Sequence, residues 1–288
     1  MQKIIVIVGP TASGKSALGK ELAQRFDGEI ISADSRQVYR GLDIGTGKEK
    51  DFPQHLIDVA DVSEDYNVSH FVRDATQIIQ EITSRSKLPI IVGGTGFWID
   101  ALVYGYELPA VTPLENLRAE MERKSWQELF AELEQLDPER AKHIDRHNKR
   151  RLIRALELVH ATGEPIPKLS KESKYDALWI GIKLDKEELD QRIAKRLHEW
   201  FAGGLVEETK KLANPERFGL AYTAIGKYLK GEIDEPTMRD EALRSIRQYA
   251  KRQMTWFKRN KHIHWVTEAS LEAVQAPLRG WLGLSKRP

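Results

Sequence analysis

Cysteine is absent from the 288-residue sequence, which excludes disulfide bonds and thiolate metal sites and is usual for proteins of a reducing cytoplasm. No apolar run approaches the roughly 20 residues that a membrane-spanning helix requires. Residues 1–3 lead directly into an apolar run, which leaves no room for a signal peptide. We therefore expect a cytoplasmic protein that does not associate with a membrane.

A large excess of charge of either sign is also lacking, since the net charge is only +2. Basic residues are nevertheless concentrated locally, because residues 244–267 contain seven Lys or Arg and no acidic residue. A basic surface on a nearly neutral protein favours docking of a polyanion at one place.

The strongest motif lies near the start of the chain. Residues 9–16 match G-x-x-x-x-G-K-[ST] at every fixed position, between an apolar run typical of a buried parallel strand and a helical apolar stripe. Backbone N–H groups of such a phosphate-binding loop (P-loop), the motif of nucleotide-binding and ATP-binding proteins, bind phosphate oxygens. The alternative is a glycine-rich turn without a ligand. The predicted phosphate-binding residues are Gly9, Pro10, Thr11, Ala12, Ser13, Gly14, Lys15 and Ser16, with Lys15 as the cation and Ser16 as a ligand of Mg²⁺.

Asp34 follows a second short predicted strand around Ile30 and Ile31. Open α/β sheets bind their ligands at the carboxyl ends of the strands. A carboxylate there can hold Mg²⁺ through water, or it can accept a proton from a nucleophile. The alternative is that Asp34 caps the following turn.

A third strand end carries Gly93, Gly94, Thr95 and Gly96, after a predicted strand at residues 88–92. We expect the glycines to let the backbone approach a ligand and Thr95 to offer a hydroxyl group. This tetrapeptide alone is a weak signal of a binding site. The signal is stronger here because the P-loop and Asp34 are predicted at the same edge of the sheet. A strand at residues 55–59 and a helix at residues 67–85 are predicted between the second and third strand ends.

The chain changes character after residue 105, where Pro109 and Pro113 bracket a predicted linker before helical segments at 114–136 and 144–162. We predict an α/β fold with a P-loop core and a parallel sheet flanked by helices. The core begins at residues 1–110, a mainly helical inserted domain occupies 111–172, and residues 173–288 complete the core with a basic C-terminal helix. Four basic residues among 149–154 favour contact of the insertion with a polyanion, against the alternative of a solvated helix face.

The strand pattern returns at residues 178–184 and precedes a helix that carries Arg192 and Arg196 one turn apart. Arginines at this place in P-loop kinases often clamp phosphate, whereas the alternative is a surface network with acidic neighbours. Residues 219–231 are predicted to be a glycine-punctuated link to a last helix at 239–259. That helix has an apolar and aromatic stripe, flanked by basic residues, at Ile246, Tyr249, Ala250, Gln253, Trp256 and Phe257.

Five stretches, taken together, resemble the tRNA dimethylallyltransferase (tRNA isopentenyltransferase) family. They span nearly the whole chain in the family's order, and the second and fifth are specific to it. The chain departs from the family at 224–229, where Ile-Gly is followed by Lys-Tyr-Leu instead of Tyr, a basic residue and Glu. The five are Gly-Pro-Thr-Ala-Ser-Gly-Lys-Ser at 9–16, Ile-Ser-Ala-Asp-Ser-Arg-Gln-Val-Tyr-Arg at 31–40, Val-Gly-Gly-Thr-Gly at 92–96, Arg-Leu-Ile-Arg-Ala-Leu-Glu at 151–157 and Tyr-Ala-Lys-Arg-Gln-Met-Thr-Trp-Phe at 249–257.

The resemblance implies transfer of a dimethylallyl group from dimethylallyl diphosphate to the exocyclic amine of the adenine on the 3′ side of the tRNA anticodon. Asp34 would be the general base and Thr95 would bind the acceptor amine. Lys15 and Mg²⁺ would neutralise the diphosphate leaving group, which the P-loop, Arg192 and Arg196 would bind. The expected partners are the tRNA anticodon stem-loop and dimethylallyl diphosphate, and we expect a monomer. The implied tRNA-binding residues are Asp34, Ser35, Arg36, Gln37, Thr95, Arg118, Arg150, Arg151, Leu152, Ile153 and Arg154.

Three other functions share some of these features. A P-loop small-molecule kinase would use the same loop and an acidic base, but the sequence has no recognisable adenine-specificity loop. An adenylate isopentenyltransferase would prenylate a free nucleotide and has little use for basic helices. An RNA-binding protein with a degenerate P-loop is disfavoured by the intact Lys15, Ser16, Asp34 and Thr95.

Overall fold

The computed structural model describes residues 1–107, 114–167, 169 and 172–283. The chain divides into two compact units, one formed by Met1–Gly105 with Glu172–Pro288 and the other by Tyr106–Lys171. None of the helices among these described residues is both long and apolar enough to cross a membrane.

The first unit is an α/β structure in which strands and helices alternate. Its strands are β1 (Lys3–Val8), β2 (Gly28–Ala33), β3 (Gln54–His55), β4 (Leu88–Gly93), β5 (Asp176–Ile182) and β6 (His264–Val266). Its helices are α1 (Lys15–Arg25), α2 (Val68–Ser84), α3 (Gly96–Val103), α8 (Lys186–Ala202), α9 (Leu205–Lys210), a 3₁₀ helix (Pro215–Phe218), α10 (Leu220–Leu229), α11 (Glu235–Phe257) and α12 (Leu271–Leu282).

Within the described residues the strands form one parallel sheet in the order β3-β2-β4-β1-β5-β6. Helices cover both faces, so side chains from both faces of β1 are buried, as continuous apolar strands of parallel sheets require. Alternate residues of β1 enter opposite cores. Ile4, Val6 and Val8 pack in the core that contains α2, α3 and α11, and Ile5 and Ile7 pack in the core that contains α1 and α12. The predicted fold class is therefore confirmed.

The second unit is helical, with α4 (Glu115–Met121), α5 (Trp126–Leu136), α6 (Pro138–Ala141) and α7 (Lys149–Thr162). It has a small apolar core of its own, in which Met121, Leu129, Leu133, Leu152 and Leu156 are fully buried. The helix predicted at 114–136 is two helices, because the Ser125 side chain accepts a hydrogen bond from the backbone N–H of Glu128 and caps a new helix. The linker predicted at Pro109 and Pro113, like the boundary at residues 110 and 111, lies outside the described residues.

Two further element predictions differ from the structure. The strand predicted at 55–59 ends at His55, because Leu56 and Asp58 have positive φ angles of 62° and 57°. The link predicted at 219–231 is largely helix α10. Gly226 lies inside this helix. Its lack of a side chain leaves room for Pro215, because a Cβ at position 226 would lie 2.8 Å from Pro215.

The end of the chain also differs from the prediction. The basic helix α11 begins four residues earlier than predicted, where the Asp234 side chain accepts from the backbone N–H of Thr237 and Pro236 occupies the first turn. Strand β6 and helix α12, which follow it, were not predicted.

Candidate active site

Three predicted site segments meet at the carboxyl edge of the sheet. The last residues of the strands are in register, since Val8 of β1 and Ala33 of β2 both pair with Gly93 of β4. The residues that follow these strand ends, which include the P-loop, Asp34 and Thr95, therefore lie side by side. A cavity lies at this edge, and it is lined among others by Thr11, Lys15, Ser16, Asp34, Arg36, Gln37, Gly94, Arg196, Trp200, Tyr249 and Gln253. Thr95 is not among the residues that line it, although the preceding Gly94 is.

The P-loop connects β1 to α1 through residues with left-handed backbone conformations. Gly14, which precedes α1, has a φ angle of 93°, and Ala12 has a φ angle of 65°. A non-glycine residue in this region costs roughly 1–2 kcal/mol, and such conformations cluster at functional sites. The loop therefore keeps a conformation that the surrounding structure must support.

Lys15 is the cation of this loop. Its ammonium group donates to the Pro10 carbonyl oxygen at 2.6 Å. Burial, followed by the positive charge of Arg196, lowers the pKa of Lys15 to about 7, and the negative charge of Asp34 partly opposes these two effects. An anion in the cavity would favour the charged form of Lys15.

The carboxylate of Asp34 has one oxygen in a local turn. Asp34 Oδ1 accepts from the backbone N–H groups of Arg36 at 2.9 Å and Gln37 at 3.3 Å. The turn-capping alternative is therefore present in the structure, and it fixes the orientation of the carboxylate beside the cavity. The second oxygen, Oδ2, takes no part in these two bonds. A carboxylate that is fixed in orientation and has one oxygen outside these bonds can act as a general base.

Thr95 contacts the segment that follows Asp34. The Thr95 hydroxyl oxygen accepts from the backbone N–H of Ser35 at 3.0 Å and donates to the Ser35 hydroxyl at 3.4 Å. Arg36 donates to the Phe218 carbonyl at 2.6 Å, and its guanidinium lies 5.0 Å from the centre of the Tyr249 ring. The structure thus brings together Asp34, Ser35, Arg36 and Thr95, as predicted from the sequence.

Gln37 joins this segment to the loop of residues 43–47. Gln37 accepts from the Ser32 hydroxyl at 2.8 Å and donates to the Thr46 carbonyl at 3.1 Å. Buried Glu208 holds the same loop, because its carboxylate accepts from the backbone N–H groups of Asp43, Ile44 and Gly45 and from the Tyr222 hydroxyl. Glu208 was not singled out in the sequence, where it is one of several acidic residues near the start of α9.

The two arginines predicted to clamp phosphate have different surroundings. Arg196 lines the cavity, and burial lowers its pKa. Arg192 is not among the residues that line it, and its guanidinium donates to Glu188 at 2.7 Å on the exposed side of α8. Arg196 lines the cavity with Lys15, while Arg192 has the surface ion pair that was the alternative, and its Nη1 atom lies 3.9 Å from the position that a Cβ on Gly14 would take.

The glycines at residues 93–96 have a packing function in addition to the one that was predicted. A Cβ on Gly93 would lie 2.2 Å from the Ala33 carbonyl oxygen, one on Gly94 would lie 2.0 Å from Gln253 Nε2, and one on Gly96 would lie 2.2 Å from Trp256 Cδ1. The space beside each glycine is thus filled by protein atoms of β2 and α11. These glycines let α11 pack closely against the sheet edge, in addition to lining the cavity at Gly93 and Gly94.

The oxygen atoms at the cavity fit a Mg²⁺ ion. Magnesium prefers hard oxygen ligands and is commonly bound through one or two protein side chains together with substrate phosphates. Ser16, the predicted ligand, lines the cavity with Asp34 and Glu49. No cluster of three or more acidic or histidine side chains that could hold a metal occurs among the described residues.

The predicted tRNA-binding residues of the second unit fall into three groups. Arg150 and Arg151 are exposed at the start of α7. Leu152 and Ile153 are buried in the unit's core, because they lie on the apolar face of α7, so their side chains cannot contact tRNA. Arg118 and Arg154, each partly exposed, form ion pairs with the buried Glu157 at 2.8 Å and 3.5 Å.

The fold and the cavity define an α/β protein of the P-loop class, and comparison with known proteins defines the family. Residues 37–260 match the family model described as IPP transferase, and residues 2–56 match one described as isopentenyl transferase. The tRNA dimethylallyltransferase of Anoxybacillus flavithermus is 40% identical over 279 residues, which cover 92% of this chain and 90% of that protein. The enzyme of the same name from Enterococcus faecalis is 41% identical and covers 92% and 91%.

Solved structures give the same result. The tRNA isopentenylpyrophosphate transferase of Bacillus halodurans is 34% identical with a TM-score of 0.73, over 98% of this chain and 97% of that one. A eukaryotic dimethylallyltransferase acting on tRNA is 25% identical with a TM-score of 0.77, over 97% of this chain and 77% of that one. The chain therefore belongs to the tRNA dimethylallyltransferase family, whose members are prenyltransferases.

Proposed function

We propose that this protein transfers a dimethylallyl group from dimethylallyl diphosphate to the exocyclic amine of the adenine on the 3′ side of the tRNA anticodon. In this reaction the bond between the allylic carbon and the diphosphate oxygen breaks, and a bond from that carbon to the amine nitrogen forms. The amine loses a proton, and diphosphate is released. Family membership supports the reaction class, and the arrangement of the cavity supports the roles of individual residues.

One observation carries the proposal: Lys15, Asp34 and Thr95 follow three neighbouring strands whose ends are in register. An aromatic amine is a weak nucleophile, so the reaction needs a base as positive charge develops on the allylic carbon. Asp34 is a fixed carboxylate that can accept the amine proton, and Thr95 offers a hydroxyl next to it. Lys15 on the adjacent strand end can bind the leaving group.

The diphosphate would be bound by the P-loop together with Lys15 and Arg196. Positive groups placed where negative charge accumulates lower the energy of bond cleavage. Ser16, with Asp34 and Glu49 nearby, would hold Mg²⁺, which supplies further neutralisation of the diphosphate charge. In this proposal the P-loop binds a leaving group and transfers no phosphoryl group.

The adenine has to leave the stack of the anticodon loop to reach the cavity, as base-modifying enzymes generally require. Exposed basic residues on two helices can bind the phosphates of the anticodon stem-loop. On α7 these are Arg150 and Arg151, on α11 they are Arg244, Arg247, Lys251 and Arg252, and Lys258 follows the end of α11.

We propose that the protein acts as a monomer, in the cytoplasm where tRNA is modified. Sedimentation velocity of the protein with and without tRNA checks this, and a dimer at working concentration would contradict it.

The proposed reaction is tested by incubating the protein with labelled dimethylallyl diphosphate and Mg²⁺, and offering tRNA, AMP and ATP as separate acceptors. Label in tRNA alone, located on the adenine next to the anticodon, is the expected result. Label in the free nucleotide would indicate that the protein is an adenylate prenyltransferase, and its basic helices would then have no assigned function. Consumption of ATP without any transfer of label would support a kinase instead.

A further inference from the structure

Gln253 is a buried polar residue in the apolar stripe of α11, with only 5% of its surface exposed. Its side-chain oxygen accepts from the backbone N–H of Thr11 at 2.8 Å, and its side-chain nitrogen donates to the Gly94 carbonyl at 3.1 Å. The two partners fix the orientation of the carboxamide, because an N–H needs an acceptor and a carbonyl needs a donor. One side chain therefore joins the P-loop to the loop that carries Thr95.

On the P-loop side, Gln253 determines the orientation of one peptide group. The N–H of Thr11 and the carbonyl of Pro10 belong to the same planar unit. Gln253 binds the N–H end of this unit, and the Pro10 carbonyl at the other end accepts from the Lys15 ammonium at 2.6 Å and from the Ser13 N–H at 3.3 Å. Rotation of the peptide group would displace the acceptor that holds Lys15.

The strained residue of the loop lies directly beside this contact. Ala12, with its φ angle of 65°, follows Thr11. A left-handed alanine persists only where its neighbours hold the backbone in place. The bond from Thr11 to Gln253 supplies such a constraint from an element 242 residues away in the sequence.

On the acceptor side, Gln253 binds the residue before Thr95. The Gly94 carbonyl accepts a hydrogen bond from the Gln253 side-chain amide. The hydroxyl of the next residue, Thr95, accepts a hydrogen bond from the backbone N–H of Ser35, which follows Asp34 in the sequence. Position 94 has no side chain to obstruct this contact, since a Cβ there would lie 2.0 Å from Gln253 Nε2. The carboxamide is therefore linked to the groups on both sides of the cavity.

We infer that Gln253 is a positioning residue that sets the separation between the leaving-group side of the site, at Lys15, and the acceptor side, at Thr95 and Asp34. The inference rests on the proposed function, because it takes these two sides as the places where donor and acceptor bind. Transfer requires the allylic carbon and the amine nitrogen within about 3–3.5 Å, and a displacement of about 1 Å can reduce the rate about a hundredfold. The competing explanation is that Gln253 only ties α11 to the sheet.

Two substitutions separate these explanations. Gln253→Met keeps the length and burial of the side chain and loses both hydrogen bonds. Gln253→Glu keeps an acceptor for the Thr11 N–H but has no donor for the Gly94 carbonyl while it is ionised. The matched controls are Gln248→Met and Gln248→Glu, which make the same changes at an exposed position of the same helix.

The measurements are kcat and KM for dimethylallyl diphosphate, the dissociation constant of tRNA, the dissociation constant of inorganic pyrophosphate by calorimetry, and the thermal midpoint. For Gln253→Met we expect kcat to fall about a hundredfold and pyrophosphate to bind about tenfold more weakly, while tRNA affinity changes less than about twofold. Gln253→Glu should also lose most of kcat. Both Gln248 variants should keep the kcat and the pyrophosphate affinity of the unmodified protein.

A folded Gln253→Met protein with unchanged kcat and unchanged pyrophosphate affinity would overturn the inference, and a lowered thermal midpoint alone would assign the residue to helix packing. If Gln253→Met does not fold, Gln253→Glu provides the same comparison, and retention of more than half of kcat overturns the inference. Absence of transfer by the unmodified protein would instead contradict the proposed function. The pyrophosphate measurement still tests Gln253 in that case.

Discussion

The surroundings of Lys15 and Arg196 distinguish two arginines that the sequence presents as equivalents. Arg196 and Lys15 line the same cavity, and the charge of Arg196 contributes to the lowered pKa of Lys15. Arg192, one turn earlier on α8, is paired with Glu188. Two cations at one cavity repel each other until an anion binds, so their proximity indicates an anion-binding function.

Arg196→Gln should therefore weaken pyrophosphate binding by about 10–100-fold, the loss expected when a hydrogen bond to a charged group is removed. The loss should be partly offset, because removal of the Arg196 charge raises the pKa of Lys15 and favours its protonated form. Arg192→Gln makes the same change on the same helix and should alter binding less than about threefold. Calorimetry with inorganic pyrophosphate at pH 7 measures both, and equal losses would contradict the distinction.

Asp34 is the second residue whose function can be isolated. Asp34→Asn keeps a side-chain oxygen that can accept from the N–H groups of Arg36 and Gln37, so the turn is preserved. The amide cannot act as a base, and we expect kcat to fall at least about a hundredfold with tRNA affinity unchanged. Single-turnover transfer and a filter-binding isotherm measure the two quantities. A variant with full activity would remove Asp34 from the mechanism.

At this scale, the predictions with the clearest physical basis concern residues that directly follow predicted strands. Asp34 and Thr95 could be placed because parallel strands end at one edge of a sheet. Gln253 could not be placed, since its partners are 242 and 159 residues away and no local pattern connects them. A signal was nevertheless present, because a glutamine in an otherwise apolar stripe must find buried hydrogen-bond partners.

The same reasoning applies to whole elements. Strands β1, β4 and β5 are apolar runs and were predicted, whereas the three-residue β6 and helix α12 were not, because a short edge strand has little periodicity of its own. Helix α10 was missed because its glycines suggest a loop. The positive φ angles of Gly219 and Gly231 do lie at its two ends, but Gly226 serves close packing instead. A glycine's conformation and its packing cannot be distinguished from sequence alone.

Helix α7 is the element whose charge can be tested most directly. Its first turns place Arg150 and Arg151 at the surface, while Arg154 pairs with the buried Glu157. Reversal of charge at Arg154 would place two negative groups together and disturb the core, so the test uses the exposed pair. Arg150→Glu with Arg151→Glu should weaken tRNA binding and reduce the slope of log affinity against log salt by up to about 2.

The control for this double variant is Lys210→Glu with Lys211→Glu, which reverses an adjacent exposed pair at the end of α9 and changes the net charge equally. It should leave the salt dependence of tRNA binding nearly unchanged. Fluorescence anisotropy with labelled tRNA across a salt series measures both variants. Identical slopes for the two would mean that α7 acts only through the net charge of the molecule.

At the scale of the whole molecule, the described residues form three apolar cores, two in the first unit and one in the second. The first unit contains the sheet and the residues that line the cavity. The second unit has its own core of leucines and their neighbours, with Leu133 fully buried on α5. Among the described residues, the core of the second unit shares no member with the cores of the first, so loss of packing in one unit need not alter the chemistry of the other.

Leu133→Ala tests this separation. Removal of a buried leucine costs about 2–5 kcal/mol, which is a large fraction of the stability of a small helical unit. We expect faster hydrogen exchange in α5 and α7 and weaker tRNA binding, with unchanged exchange in β1 and β4 and unchanged affinity for pyrophosphate. Leu136→Ala is the matched control, since Leu136 lies on the same helix with 39% of its surface exposed. Faster exchange in the central strands of the Leu133→Ala protein would show that the two units unfold together.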